Sequence, residues 1–114
     1  MSAAARFVGL PVVTLPGGLT VHIADTARAR RRGLARLDDL PAEHGLWLRP
    51  CRSVHMVGMR FALDLVWLDA DEQVLEVVHD AGFSTRLRAR SVIEVRAGQG
   101  DAFAAAWVNR AARR

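Results

Sequence analysis

Cys51, His55, Met56 and Met59 follow one another as C-x3-H-M-x2-M, a run of soft sulfur and imidazole donors suited to copper(I) or zinc. On an extended strand, residues four apart lie about 13 Å from each other. Two ligands of one ion sit within about 4 Å. Cys51 and His55 therefore meet only across a bend near Pro50 or Gly58, or on a helical turn. Otherwise the stretch is a buried thiol with core methionines. No metal is expected; Cys51 and His55 are the residues that would serve if one bound.

Two carboxylates stand inside apolar strands. Asp64 interrupts Phe-Ala-Leu-Asp-Leu-Val-Trp-Leu, where a charge needs solvent, a cleft or a partner. Its face neighbours Ala62 and Val66 are smaller than Phe61, Leu63, Leu65 and Trp67 of the other face, compatible with a shallow polar-edged pocket. Candidate partners are His55, Arg60 and Arg52. Glu94 poses the same question within Val92-Ile93-Glu94-Val95. If the two carboxylates converge with His55, general acid–base work is open to them. A structural ion pair or hydrogen-bonded network is the plainer alternative. The site expected is a ligand-binding groove edged by His55, Arg60, Asp64 and Glu94; no catalytic residue is assigned.

The remaining chemistry is thinner. Arg28, Arg32 and Arg36 recur at i, i+4 and i+8 and would line one face of a helix, able to meet phosphate or nucleic acid. No stacking aromatic is interleaved with them and no nucleic-acid motif is present, so a solvated face is the simpler reading. His22 and His79 receive no role. Trp47, Trp67 and Trp107 read as core anchors with bonded N–H groups. There is no G-x-S-x-G elbow and no phosphate-cradling glycine motif.

These residues must be positioned by mostly extended chain. Strands are expected over 7–15 and 19–24 about the turn Pro16-Gly17-Gly18, then at 53–57, 61–68, 74–78 and 91–96, with a short apolar run at Leu46-Trp47-Leu48. The acidic segment 69–72 joins 61–68 to 74–78 as a hairpin, and 80–90 reads as loop. Asp25 or Thr26 caps a helix over 26–37, and Asp101 caps a C-terminal one. Phe103, Trp107 and Ala111, with Ala104 and Val108, share a face of the latter, and Arg110, Arg113 and Arg114 lie at its negative end. No strand–helix–strand alternation is expected.

At 114 residues, with 51% apolar side chains, the chain holds one domain with an ample core. Disorder is excluded, and no apolar run approaches the roughly 20 residues that span a bilayer. Residues 1–15 carry only Arg6 as a charge, are interrupted by Pro11, and read as no export signal. A lone cysteine fits a reducing compartment, so a cytoplasmic protein is expected. The 16 basic residues against 12 acidic ones are all arginines, and tyrosine is absent. The pI near 11.2 thus reflects missing titrating groups more than a dense positive field.

Residues 45–98 resemble the domain of unknown function 192 family. The matching pieces are Arg32-Gly33-Leu34, Gly45-Leu46-Trp47-Leu48 and above all CRSVHMVGMRFALDLVWLD from Cys51 to Asp69, with His55, Met59 and Asp64 at the family's spacing. The acidic turn and Glu94-Val95-Arg96-Ala97-Gly98 also fit. The resemblance spans about residues 19–98; the Ala-rich helix at about 101–112 departs from it. It implies a mainly β sandwich or barrel-like domain with one or two helices packed against it, and no activity. The expectation is a non-catalytic accessory protein binding an unidentified small ligand or protein, with no membrane association and nucleic acid disfavoured. The alternatives are a hydrolase- or lyase-type enzyme using His55 with Asp64 or Glu94, metal-assisted or not, and anion or nucleic-acid binding by the arginine helix. No motif names a cofactor.

Overall fold

The computed structural model describes residues 2–112. The turn Pro16-Gly17-Gly18 folds β1 (Val12–Leu15) back on β2 (Leu19–Ala24), with Val12 opposite His22 and Leu15 opposite Leu19. Gly17 and Gly18 hold φ of 85° and 78°, the left-handed backbone that a tight hairpin demands.

Thr26 then caps α2 (Ala27–Arg32), its hydroxyl accepting the Ala29 N–H at 3.1 Å. Gly33, at φ 47°, ends the helix short of the span expected over 26–37. Leu34, Leu37 and Leu40 are buried in the turns that follow instead. Arg36 lies outside the helix at φ 65°, so the arginine face of Arg28, Arg32 and Arg36 is not built. Leucines three apart fit tight turns as well as a helix, and here the glycine decides.

The chain returns as β3 (His44–Leu48), parallel to β2, with Val21 opposite Gly45 and Ala24 opposite Leu48. This corrects the expectation of no strand–helix–strand unit: β2, α2 and β3 form one, hidden in the sequence by its six-residue helix. After β4 (Ser53–Val54), the strands β5 (Leu63–Leu68) and β6 (Val74–Val78) form the expected hairpin. Asp69 stabilises its turn, Oδ1 accepting the N–H groups of Asp71 (2.8 Å) and Gln73 (3.0 Å). β7 (Ser84–Thr85) pairs with β4 as a separate small sheet inside the stretch read as loop. β8 (Ser91–Arg96) enters between β3 and β5, antiparallel to both, giving the order β1-β2-β3-β8-β5-β6. The fold is mainly β, as expected, although the large sheet is open and the described helices number three.

The third helix is α1 (Ala3–Phe7), where a strand beginning at Phe7 was expected. Ser2 caps it, three alanines favour it, and Gly9 at φ 81° breaks the chain before β1. Arg6 ties it to the exit of α2, donating to the carbonyls of Gly33 (2.8 Å) and Ala35 (3.0 Å).

Both faces of the large sheet are covered. Leu46, Leu48, Leu65, Trp67 and Val92 pack beneath Phe7, Leu34, Leu37 and Leu40. Val21, Trp47, Val66, Ile93 and Val95 pack beneath α3 (Gly100–Ala112), which contributes Phe103, Ala106 and Trp107. Every residue of β5 is consequently buried, which is why it reads as an almost unbroken apolar run. Asp101 falls in the first turn of α3 and not at its cap, and Val108 is exposed, off the packed face. The side chain of Ala111, and Arg113 and Arg114, lie outside the described residues. Trp107 Nε1 donates to the Glu72 carbonyl at 2.7 Å, but the Nε1 groups of Trp47 and Trp67 find no hydrogen-bond partner among the described residues, contrary to expectation.

Candidate functional site

Asp64 is 1% exposed and spoken for by backbone. Its Oδ1 accepts the Asp80 N–H, and its Oδ2 accepts those of Gly98 and Gly100, each at 2.9 Å. One carboxylate thus fixes the chain leaving β6 and the turn that starts α3. A side chain at position 100 would obstruct this: a Cβ there would lie 2.8 Å from Val77 Cγ1 and 2.9 Å from Asp64 Oδ2. Arg60 is exposed and bonded to Asp38 Oδ1 at 2.6 Å.

Glu94 faces the other way. Across the β5–β8 ladder Asp64 pairs with Val95 while Leu65 pairs with Glu94, so the two carboxylates project from opposite faces of the sheet. The expected groove of four residues is therefore not formed as such. Of His55, Arg60, Asp64 and Glu94, only His55 and Glu94 border one cavity.

That cavity, of about 430 Å³, lies between α2 with its exit turn and the β4 segment. Glu94 is 5% exposed, and its Oε1 has no hydrogen-bond partner among the described residues. Burial pushes its carboxyl up to about 7. Gly33 borders the same space, and a Cβ placed on it would come 3.7 Å from Oε1. The apolar wall is Leu34, Leu48, Val54 and Met59. At the mouth stand the exposed residues Arg31, Arg32 and His55. Arg30 is occupied by the carbonyls of Asp25 (2.9 Å) and Arg49 (3.2 Å), and Arg52 by that of Ala89 (3.1 Å). The guanidinium groups of Arg31 and Arg32 carry no hydrogen bond or ion pair among the described residues.

Cys51 and His55 both line this cavity, with the extended β4 between them along the chain. The Cys51 Sγ donates to the Ser53 carbonyl at 3.2 Å. Burial pushes the thiol above its ordinary range, and the nearby Glu94 adds to this. Among the described residues, no three His, Cys, Asp or Glu side chains are grouped to hold a metal ion. Met56 and Met59 pack against the apolar core.

The sequence placed Arg32 on a phosphate-meeting face with Arg28 and Arg36, and Gly33 in a family motif, but did not pair Arg32 with Arg31 or set Gly33 beside Glu94. A glycine directly after an arginine run is the one signal that points to them. Sequence reasoning also left His22 and His79 without a role. His22 Nε2 lies 2.9 Å from His44 Nδ1, with Phe7 stacked on its ring at 4.0 Å. Burial first, then His44, lowers the His22 pKa. His79 meets Asp101 at 2.9 Å, which raises its own.

Fold and cavity together define a small mixed-sheet domain with a buried acid beneath an arginine-rich helix. The chain belongs to the domain of unknown function 192 family, described as "Uncharacterized ACR", whose model matches residues 12–106. The match runs from β1 into α3, wider than the motifs alone carried. A protein from Sinorhizobium meliloti 1021, named as a candidate transcription regulator, superposes with a TM-score of 0.66 at 19% identity, over 81% of each chain. A protein of unknown function from Novosphingobium aromaticivorans DSM 12444 does so at 0.61 and 16% identity, over 90% of this chain and 91% of its own. These two likenesses are of fold. No curated protein matches the chain. Among the described residues, no helix is long and apolar enough to cross a membrane.

Proposed function

We propose that this chain is a non-catalytic, cytoplasmic accessory protein that binds a small ligand in the cavity walled by Glu94, Cys51, His55 and Gly33. The observation that carries this is Glu94 Oε1, a buried acceptor with no hydrogen-bond partner among the described residues, on a side chain that lines the cavity. Leaving such a group unmet costs about 1–3 kcal/mol, and a ligand donor reaching it would recover that cost. The volume lies within the range of small-molecule sites, and an apolar wall with few polar groups is their usual make-up. The non-catalytic reading is supported by the separation of Asp64 from Glu94 and by a Cys51 thiol that stays protonated near neutrality. The lone cysteine supports a reducing compartment.

The test is amide NMR of the full chain titrated with a panel of small amines, carboxylates and amides. Binders should shift the Gly33, Cys51 and Glu94 amides together. A panel that shifts none of them, or only residues beneath α3, would overturn the reading.

A further inference from the structure

We infer that the cavity takes a small zwitterion with an aliphatic body, its protonated nitrogen set against the Glu94 carboxylate and its acidic group against Arg31 and Arg32 at the mouth. This rests on the cavity being a ligand site and names the class of ligand it takes. The order of polar groups along the cavity carries it. The buried part of the wall offers Glu94, whose Oε1 has no donor bonded to it among the described residues. The mouth offers uncommitted donors, the guanidinium groups of Arg31 and Arg32. The same cavity is lined by Leu34, Val54 and Met59, which suit methylene groups and no charge.

Simpler ligands match only part of this. An anion alone would leave the buried acceptor unmet, and an inner anionic end would face a carboxylate. A cation alone would satisfy Glu94 yet pass an arginine mouth with nothing to offer it. A molecule charged at both ends meets both, and Arg is well shaped to hold a carboxylate with two parallel bonds. Gly33 carries no side chain beside Oε1, where a Cβ would lie 3.7 Å from it.

Proton linkage gives the idea a signature. In the free protein burial holds the Glu94 carboxyl up to about 7, so below that pH it is mostly protonated. An ammonium needs the carboxylate, so binding expels a proton and affinity rises with pH. Two units below its pKa only about 1% of a carboxyl is ionised, so affinity at pH 5 should be about 100-fold below that at pH 8.

Calorimetric titration of the full chain at pH 8 and pH 5 tests this, with 4-aminobutanoate, 5-aminopentanoate, 6-aminohexanoate and leucine as probes. Pentanoate and pentylamine serve as one-ended controls. At least one zwitterion should bind tenfold or more tighter than both controls, weaken at pH 5 and release a proton. Glu94→Gln should cost tenfold or more, as should Arg31→Ala with Arg32→Ala, two surface changes that leave the core intact. Equal binding by pentylamine or pentanoate would overturn the zwitterion. So would amide shifts at Gly33 and Cys51 with uncharged compounds only, a result that keeps the cavity as a site. If nothing of any charge perturbs those amides, the site reading falls with it.

Discussion

Asp64 and Glu94 stand one register step apart on paired strands and point to opposite faces of one sheet. Asp64 meets three backbone N–H groups on the α3 side; among the described residues, Glu94 Oε1 meets none on the α2 side. Two carboxylates set in similar apolar strands thus have different physical fates. One is consumed by the fold and the other is left over.

Asp64→Ala should destabilise the protein by about 3 kcal/mol, because three backbone donors, that of Gly100 buried and those of Asp80 and Gly98 part-buried, lose their acceptor at once. Urea unfolding followed by tryptophan fluorescence measures it. A loss under about 1 kcal/mol would show that those loops find other partners. In the folded variant the Gly33 and Cys51 amides should keep their wild-type positions, since both lie across the sheet.

Gly100→Ala tests the same junction without touching a charge. The added methyl would sit under 3.0 Å from both Val77 and Asp64, so α3 must shift. Overpacking of this kind costs about 1–3 kcal/mol. A variant as stable as wild type in thermal unfolding would mean that the turn into α3 is looser than described.

Strand periodicity made most of the sheet legible: β2, β6 and β8 begin and end where alternation in the sequence places them. What it could not supply was register between distant strands, and register alone separates Asp64 from Glu94. Of His55, Arg60, Asp64 and Glu94, His55 and Glu94 therefore line one cavity while Asp64 faces the other side of the sheet. The parallel pairing of β2 with β3 was hidden because Gly33 cuts α2 to six residues. The N-terminal helix was missed because Phe7, Val8 and Val12 look like strand residues while the capping Ser2 and the alanines preceding them were passed over.

Glu94→Gln should change stability in a pH-dependent way. The folded carboxyl titrates at about 7 against an ordinary value of 4.5, so the folded state binds its proton more tightly than the unfolded one. Wild type therefore loses stability as pH rises from about 4.5 through 7, and the loss is complete above that. The difference of 2.5 units corresponds to about 3 kcal/mol. Urea midpoints at pH 5 and pH 8.5 should show the variant gaining on wild type by up to that amount at the higher pH. A gap that does not vary with pH would contradict it.

Cys51 should be a sluggish nucleophile. Burial and the adjacent Glu94 hold its thiol protonated beyond the ordinary range. Iodoacetamide at pH 7.5 should label it more slowly than it labels free cysteine, and faster after Glu94→Gln removes the nearby charge. Labelling at the free rate or above would point to an activated thiol and reopen a catalytic reading.

Glu94 carries a buried carboxyl oxygen without a hydrogen-bond partner among the described residues, on the wall of the cavity beneath α2, and the titration of this group is the most direct test. Carboxyl carbon NMR of the free protein, with the Glu94 signal assigned through Glu94→Gln, should give a midpoint of about 7. A midpoint near 4.5 would mean that the group is solvated or bonded, and the account built on it would fail.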